Sequence, residues 1–360
     1  MKVLITVPRL NLPGGVASYF GTLRVELGED KTFFEIGKTY DEKGALAVLK
    51  RLCLDNVNFW KELNREKYEL VHINPSLLSG AFLRDSVLVL LARLCRKPVV
   101  VMFHGWDKVF ERTIERHLLW LFRFVYGRAA AFVVLANEFR DTLKRWSCAQ
   151  RVFVETTVVD DAVLACDPET LRKCRRTSLT FNVLFLARLE RQKGIYEAIE
   201  AFAILKQTIP HAQLIVAGDG SDRIPLQEYT QKHGIGDVEF VGFVIGKQKV
   251  EVFSKAHVYL LPTYGEGMPT TVLEAMAFGL PVITRPVGGL RDFFEDGHMG
   301  YLTESLNPKV FAELISNLAT NTLQREVIGE YNQLYAKQRF AASKVAGRME
   351  KIYEAVVAGR

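Results

Sequence analysis

The chain has 360 residues, of which 49% are hydrophobic, and this is enough for two domains with separate cores. No apolar run reaches the roughly 18–20 residues of a membrane-spanning helix, so the sequence excludes a bundle of such helices. The five cysteines form no Cys-x-x-Cys pair and no metal-ligand spacing with histidine, which favours structural thiols in a reducing cytoplasm.

The net charge of +6 is concentrated in the first half of the chain. Residues 1–178 contain 28 Lys and Arg against 21 Asp and Glu, a net charge of +7. Residues 179–360 contain 19 against 20, a net charge of −1. No nucleic-acid recognition motif accompanies the basic half. The charge therefore favours an anionic membrane surface or a diphosphate-bearing lipid as a partner, and not nucleic acid.

The first half alternates strand-like and helix-like segments, which predicts a parallel, doubly wound α/β sheet. The predicted strands are Val3–Val7, Leu70–Ile73, Val99–Phe103, Ala131–Leu135 and Val152–Thr156. The predicted helices are Val16–Leu27, Ala45–Glu66, Ser79–Cys95, Ile114–Gly127 and Glu138–Arg145. The polar, basic segment Arg172–Ser178 is interpreted as a linker, so the N-terminal domain is predicted to comprise residues 1–172.

The same alternation restarts after the linker and predicts a second domain of residues 173–340. Its predicted strands are Phe181–Leu186, Gln213–Ala217, Val238–Val241, Val258–Leu261 and Val282–Thr284. Its predicted helices are Ile195–Thr208, Ile224–His233, Gln248–Ser254, Thr271–Phe278, Gly289–Phe294 and Pro308–Asn317. The residues after 320 look helical, and residues 341–360 are expected to form a separate final helix.

Residues 262–289 carry the most informative pattern in the chain. A buried strand is predicted to end at Pro262. The loop after it contains Glu266, and the helix after the loop contains Glu274. The backbone N–H groups of 270–272 would point at a ligand over the helix start, where phosphate binds well. Carboxylates beside a phosphate site suit hydroxyl groups, such as those of ribose or a sugar ring. This combination predicts a nucleotide-sugar site at the carboxyl edge of the sheet.

Four motifs in the second half, in this order along the chain, resemble the retaining glycosyltransferases of family 4. The motifs are Arg188–Gly194, Ala217–Gly220, Val241–Phe243 and the Glu-x7-Glu pair Glu266 and Glu274 with Gly267, Pro269, Gly279, Pro281, Gly288 and Gly289 around it. The resemblance implies the GT-B fold, in which two Rossmann-like domains with parallel sheets face each other across a cleft. It also implies that the final helix crosses back onto the first domain.

A nucleoside diphosphate leaving group is strongly negative, and a metal ion or fixed cations must neutralise it as the glycosidic bond breaks. The chain contains no Asp-x-Asp motif, so we expect neither a metal nor another cofactor. In the resembling family, residues at the positions of Arg188 and Lys193 contact the diphosphate. Those at Glu274 and Glu266 bind the ribose and the transferred sugar.

The resemblance also places a loop at Gly14–Gly15 and a histidine at His104 near the donor. A plain tight turn and a packed histidine are the alternative interpretations, and Asp107 is a second polar candidate. The predicted catalytic residues are His104, Arg188, Lys193 and Glu266. The predicted donor-binding residues are Gly14, Gly15, Arg188, Lys193, Gly218, Gly242, Phe243, Glu266, Gly267, Met268, Pro269, Thr270, Thr271, Val272 and Glu274. At residues 155–160 the chain departs from the family's usual pattern but retains Asp160.

The segment Leu118–Arg128 is aromatic, apolar and basic, and Arg112 and Arg116 precede it. It suits a membrane surface and a core helix with one wet face equally well. We predict a retaining, metal-independent transferase that uses a UDP- or GDP-sugar and a saccharide or lipid-linked acceptor. It would act in polysaccharide biosynthesis in the cytoplasm, with a peripheral position at the inner face of the plasma membrane as one option. The alternatives are an epimerase or hydrolase of the same fold, and a non-catalytic nucleotide-sugar-binding subunit.

Overall fold

The computed structural model describes residues 1–12, 14–38, 42–147 and 151–359. They form two compact units, one comprising Met1–Val158 with Ala342–Arg360 and the other Val159–Ala341. The boundary predicted after residue 172 is therefore wrong. The basic segment taken as a linker lies in a helix, Pro168–Arg176, which begins where the Asp167 carboxylate accepts from Thr170 N at 2.9 Å. Arg175 in this helix donates to the Phe278 carbonyl at 2.7 Å, so the segment packs within the second unit.

The first unit is built on a parallel sheet whose central strands are buried on both faces. Its strands are β1 (Val3–Pro8), β2 (Lys31–Ile36), β3 (Leu70–Ile73), β4 (Ser76–Leu77), β5 (Val99–Phe103), β6 (Gly105–Trp106), β7 (Ala131–Val134) and β8 (Arg151–Val154). Six of them pair in the order β2-β1-β3-β5-β7-β8, and β4 pairs with β6. The sequence prediction missed β2, an edge strand whose Phe33 and Phe34 are only half-buried.

Helices connect these strands. They are α1 (Gly15–Leu23), α2 (Ala45–Arg65), α3 (Ser79–Leu94), α4 (Lys108–Thr113), α5 (Leu119–Tyr126) and α6 (Asn137–Arg145). The single helix predicted over Ile114–Gly127 is broken, because a π-helical turn over Ile114–Leu118 joins α4 to α5. Phe122 and Val125 of α5 lie in the core, whereas Trp120 is 68% exposed and Phe124 is 62% exposed. The helix thus has a core face and an exposed aromatic face.

The second unit repeats the same architecture. Its helices are α7 (Asp161–Leu164), α8 (Pro168–Arg176), α9 (Ile195–Leu205), α10 (Arg223–Lys232), α11 (Gly246–Lys255), α12 (Thr270–Ala277), α13 (Leu290–Phe293), α14 (Pro308–Thr320) and α15 (Thr322–Arg339). Its strands are β9 (Phe181–Leu186), β10 (Ala212–Ala217), β11 (Val238–Gly242), β12 (Val258–Leu261), β13 (Val282–Thr284) and β14 (Gly300–Leu302). All pair in parallel in the order β11-β10-β9-β12-β13-β14. The order reverses between β9 and β12, and ligands bind in doubly wound sheets at the carboxyl ends of such strands.

The last helix, α16 (Ala342–Ala358), belongs to the first unit. The Tyr353 hydroxyl lies 2.7 Å from Nδ1 of His72 on β3, and Glu350 pairs with Lys31 of β2 at 2.8 Å. The helix therefore covers the sheet of the first unit from its edge strand inward. None of the helices in the described part of the chain combines the length and the apolar character needed to cross a bilayer.

Candidate functional site

The loops after β9 and β12 meet at the point where the strand order of the second sheet reverses. Lys193 Nζ lies 2.6 Å from Glu266 Oε1, although the two residues are far apart in the sequence. Their side chains are only 13% and 16% exposed. Thr263 also donates to Glu266 Oε1 at 3.2 Å and fixes its orientation. A cation and a carboxylate are therefore held side by side at the edge where this fold binds ligands.

Two glycines allow these loops to approach one another. Gly194 has a φ of +75° and packs so tightly that a Cβ there would lie 2.2 Å from the Pro262 carbonyl oxygen. Gly288, with a φ of +50°, follows β13, and its Cβ would lie 2.2 Å from the Gly267 carbonyl oxygen. Residues with a Cβ rarely adopt these conformations and do not fit at these distances. The glycines thus bring the loops after three neighbouring strands together.

Arg188 lies on the same loop as Lys193 but makes a different contact. Its guanidinium donates to Glu190 Oε1 at 3.0 Å, and its side chain is 67% exposed. An exposed ion pair of this kind contributes about 0–1 kcal/mol to stability. The guanidinium is therefore free to leave Glu190 for a stronger anion at little cost.

Glu274 lies on α12 and is almost fully buried. Lys249 of α11 forms an ion pair with its Oε1, and Oε2 has no protein hydrogen-bond partner among the described residues. Burial raises the pKa of Glu274, and the nearby Lys249 ammonium opposes that rise. Sequence reasoning missed Lys249, because it lies on another helix and no motif or spacing relates it to Glu274.

The N-terminus of α12 is open at Thr270. Its N-cap residue is Pro269, which makes no side-chain capping hydrogen bond. Val272 N donates to the Pro269 carbonyl at 3.0 Å, so the prediction that three N–H groups are free is wrong for Val272. The N–H groups of Thr270 and Thr271 have no intrahelical acceptor, as is usual for a first turn. They and the helix dipole make this terminus favourable for an anion.

The other predicted residues of this loop have structural contacts. Gly267 accepts a hydrogen bond from Gly289 N at 2.8 Å, and Met268 packs half-buried against the core. The Tyr259 hydroxyl, which the sequence did not identify, donates to the Leu186 carbonyl at 2.8 Å and lies 2.7 Å from Thr271 Oγ1. Tyr259 therefore ties the start of α12 to the end of β9.

The residues after β10 and β11 form a neighbouring surface. Gly218 N donates to the Gly242 carbonyl at 2.7 Å, which joins the two predicted loops. Phe243 follows immediately, and its side chain is 58% exposed. Asp219 accepts from Gly220 N at 2.9 Å and shapes its own turn. This part of the edge thus presents mainly backbone and one exposed aromatic ring.

His104 in the first unit is packed and hydrogen-bonded. Asn74 Nδ2 donates to the Thr6 carbonyl at 2.8 Å, so the Asn74 amide oxygen faces His104 Nε2, 2.9 Å away. Nε2 is therefore the protonated nitrogen, and Nδ1 carries the lone pair. Burial lowers the pKa of His104 to about 3, so the imidazole is neutral near pH 7. It is suited to accept a hydrogen bond through Nδ1.

The remaining candidates of the first unit are Gly14 and Gly15 at the start of α1 and Asp107 before α4. A Cβ on Gly14 or Gly15 would meet no described atom within 4 Å, so the packing of the chain does not require glycine at the start of α1. Asp107 instead caps α4, where its carboxylate accepts from Phe110 N at 2.6 Å. Within the described ranges, no three His, Cys, Asp or Glu side chains lie together as a metal-binding group.

Two family models and several curated proteins match this chain in sequence. A family model described as Glycosyl transferases group 1 matches residues 174–335, and one described as Glycosyltransferase Family 4 matches residues 45–162. The chain is 25% identical to alpha-D-kanosaminyltransferase of Streptomyces kanamyceticus over 74% of its own length and 73% of that protein. It is 26% identical to the capsular polysaccharide biosynthesis glycosyltransferase CapM of Staphylococcus aureus, over 48% of this chain and 46% of CapM.

The fold is also that of solved structures. Anabaena Alr3699/HepE, solved in complex with UDP-glucose, superimposes with a TM-score of 0.76 at 18% identity, covering 99% of this chain and 100% of that one. At this identity the likeness shows the fold, which is GT-B.

Proposed function

Because this chain belongs to the family 4 glycosyltransferases, we propose that it transfers a sugar from a UDP- or GDP-sugar to a hydroxyl acceptor with retention of configuration. The observation that carries the proposal is the pairing of Lys193 with Glu266 at the switch point of the second sheet. In this pair the cation would bind the diphosphate and the carboxylate would accept hydrogen bonds from the sugar hydroxyls. The open N-terminus of α12, at Thr270, lies between Glu266 and Glu274 in the sequence.

The charges of the site suit departure of a nucleoside diphosphate. Lys193, the exposed guanidinium of Arg188 and the N–H groups of Thr270 and Thr271 would stabilise the negative charge that develops on the leaving phosphate oxygen. When Lys193 turns to the diphosphate, Glu266 becomes free to accept hydrogen bonds from the sugar. The N–H groups at the start of α12 are fixed before the substrate arrives, whereas Lys193 and Arg188 exchange their carboxylate partners for the diphosphate.

The proposed reaction is a substitution at the anomeric carbon of the donor sugar. The bond to the phosphate oxygen breaks, and a bond to the acceptor oxygen forms on the same face of the sugar. The acceptor proton passes to the departing phosphate oxygen. We predict that His104 accepts a hydrogen bond from a sugar hydroxyl through Nδ1 of its neutral ring.

The nucleoside would occupy the remaining part of the edge. Glu274 would accept hydrogen bonds from the ribose hydroxyls, and the backbone at Gly218 and Gly242 would line the base. The exposed ring of Phe243 offers a flat apolar surface for contact with the base. The relatives of this chain include a capsular polysaccharide biosynthesis glycosyltransferase, and this favours a saccharide or a lipid-linked saccharide as the acceptor.

The proposal predicts which ligands raise the melting temperature of the protein. UDP or GDP and the matching nucleotide sugar should stabilise it by mass action, by about 2.7 kcal/mol at a concentration of 100 Kd. Thermal-shift measurements with UDP, GDP, ADP and TDP compounds test this, with the free nucleosides as controls. If no nucleoside diphosphate raises the melting temperature, the donor assignment is contradicted. Binding followed only by release of free sugar would favour a hydrolase, and binding without turnover a non-catalytic subunit.

We further propose that transfer needs no metal ion, because the cationic side chains and the helix N-terminus supply the positive charge. Full activity is expected in excess chelator, measured as nucleoside diphosphate released per minute. Activity that disappears with the chelator and returns with magnesium or manganese would contradict this part of the proposal.

The exposed aromatic face of α5 supports a peripheral contact with an anionic membrane, at the inner face of the plasma membrane for a cytoplasmic enzyme. Trp120 and Phe124 are exposed there, and Arg112 and Arg116 are exposed on the preceding turns. Aromatic rings and cations on one surface are typical of helices that lie in the interface. Arg123 has a structural contact instead, since its Nε donates to the Trp146 carbonyl at 2.9 Å.

Vesicle co-sedimentation tests the membrane contact. The protein should bind vesicles with acidic lipids, and binding should weaken with salt because exposed charges are screened beyond about 8–10 Å at moderate ionic strength. The double change Arg112→Glu and Arg116→Glu should abolish binding, whereas Trp120→Ser with Phe124→Ser should weaken it at every salt concentration. Equal binding to neutral and anionic vesicles, or none to either, would contradict the contact and favour a soluble acceptor.

A further inference from the structure

We propose that Lys249 is a positioning residue of the nucleotide site, which holds the Glu274 carboxylate ionised and oriented for the ribose. The inference rests on the proposed function, because it concerns the same donor site. It adds a residue of α11 that neither the sequence motifs nor the comparisons with known proteins identify.

The Glu274 carboxylate is enclosed by protein, and Lys249 binds one of its two oxygens. Glu274 is 8% exposed, and its Oε2 is buried without a protein hydrogen-bond partner among the described residues. Its Oε1 is bound by the ammonium of Lys249, whose own side chain is 29% exposed. The Lys249 ammonium therefore occupies Oε1 and leaves Oε2 as the oxygen without a partner among the described residues. It fixes the carboxylate and has further N–H donors for the ribose oxygens.

The charges that act on Glu274 come from the elements around α12. Lys249 on α11 is the cation that acts on Glu274, and Asp160, just before α7, acts in the opposite sense. Tyr259 on β12 stays protonated because burial raises its pKa far above neutrality. On α15, the nearby Asn332 and Gln333 are neutral. Lys249 is thus the described group that offsets both burial and the Asp160 charge.

The ionisation state of Glu274 matters for binding. An ionised carboxylate accepts hydrogen bonds from both ribose hydroxyls, whereas a protonated one loses part of that capacity. Without Lys249, burial and Asp160 act unopposed and the pKa of Glu274 rises further. Binding of a nucleoside diphosphate should then weaken as the pH falls toward the raised pKa.

The test measures the dissociation constants of UDP and GDP by calorimetry between pH 6 and pH 8 for the wild type, Lys249→Met and Lys249→Arg. Each variant is expressed as its ratio to the wild type at the same pH, because the terminal phosphate of the ligand also titrates. For Lys249→Met we expect binding weaker by about tenfold at pH 8 and by a larger factor at pH 6. Lys249→Arg should restore most of the affinity. Lys247→Met, an exposed change on the same helix, is the matched control.

The outcomes separate this inference from the proposed function. If Glu274→Ala weakens binding but Lys249→Met does not, the positioning role is wrong and the donor site stands. If Lys249→Met weakens binding equally at every pH, Lys249 is not needed to keep Glu274 ionised, and the inference is overturned. If neither nucleotide binds the wild type, the proposed function itself fails.

Discussion

Replacement of Lys193 by alanine should lower kcat/KM by about 30- to 1,000-fold, which corresponds to about 2–4 kcal/mol of transition-state stabilisation. The reason is that Lys193 Nζ lies next to Glu266, from which it can turn to the charge that develops on the leaving group. Most of the loss should appear in kcat, because that charge is larger in the transition state than in the bound substrate.

The control for this prediction lies on the same turn. Arg191 is exposed and stacks 5.0 Å from the Tyr196 ring, so Arg191→Ala removes a cation from the loop without touching the Lys193–Glu266 pair. It should leave kcat within about twofold, as expected of a surface change. A Lys193→Ala enzyme that keeps wild-type kcat while folding normally would remove Lys193 from the chemistry.

Replacement of Glu274 by alanine should weaken binding of the nucleoside diphosphate by about 10- to 200-fold. Hydrogen bonds to a charged acceptor contribute about 1.5–3 kcal/mol, and the ribose would lose that acceptor. The effect should appear in Kd and KM more than in kcat, because the ribose is remote from the reacting bond.

Calorimetry with the free nucleoside diphosphate and with inorganic pyrophosphate checks the assignment. Glu274→Ala should weaken the nucleoside diphosphate but not pyrophosphate, whereas Lys193→Ala should weaken both. Far-ultraviolet circular dichroism and the melting temperature without ligand control for misfolding. Normal binding of the nucleoside diphosphate by folded Glu274→Ala would exclude the ribose role.

Local patterns accounted for most of the fold, and the resemblance to family 4 selected Lys193 and Glu266, which the structure brings into contact. Alternating strands and helices predicted two doubly wound sheets, and the structure contains them with most of the predicted strands in place. Lys193 and Glu266 belong to separate motifs, and each motif follows the end of a strand next to the switch point. Parallel strands end at a common edge of the sheet, so residues that follow two neighbouring strands lie close together at that edge.

Contacts between distant segments account for what the sequence did not predict. The segment taken as a linker is a helix held by Arg176, whose guanidinium pairs with Glu326 at 2.7 Å, and by the contact of Arg175 with the Phe278 carbonyl. A basic run gives no sign of partners so far along the chain. Lys249 was missed for the same reason, since only the packing of α11 near α12 brings it to Glu274.

The configuration of the product tests the central claim most directly. Nuclear magnetic resonance of the reaction with the nucleotide sugar that binds best, and with a hydroxyl acceptor, follows the anomeric proton and the nucleoside diphosphate together. The account predicts one nucleoside diphosphate released for each sugar transferred, with the anomeric configuration of the donor kept in the first product and with turnover greatly reduced in Lys193→Ala. A product of inverted configuration, or turnover unchanged in Lys193→Ala, would contradict it.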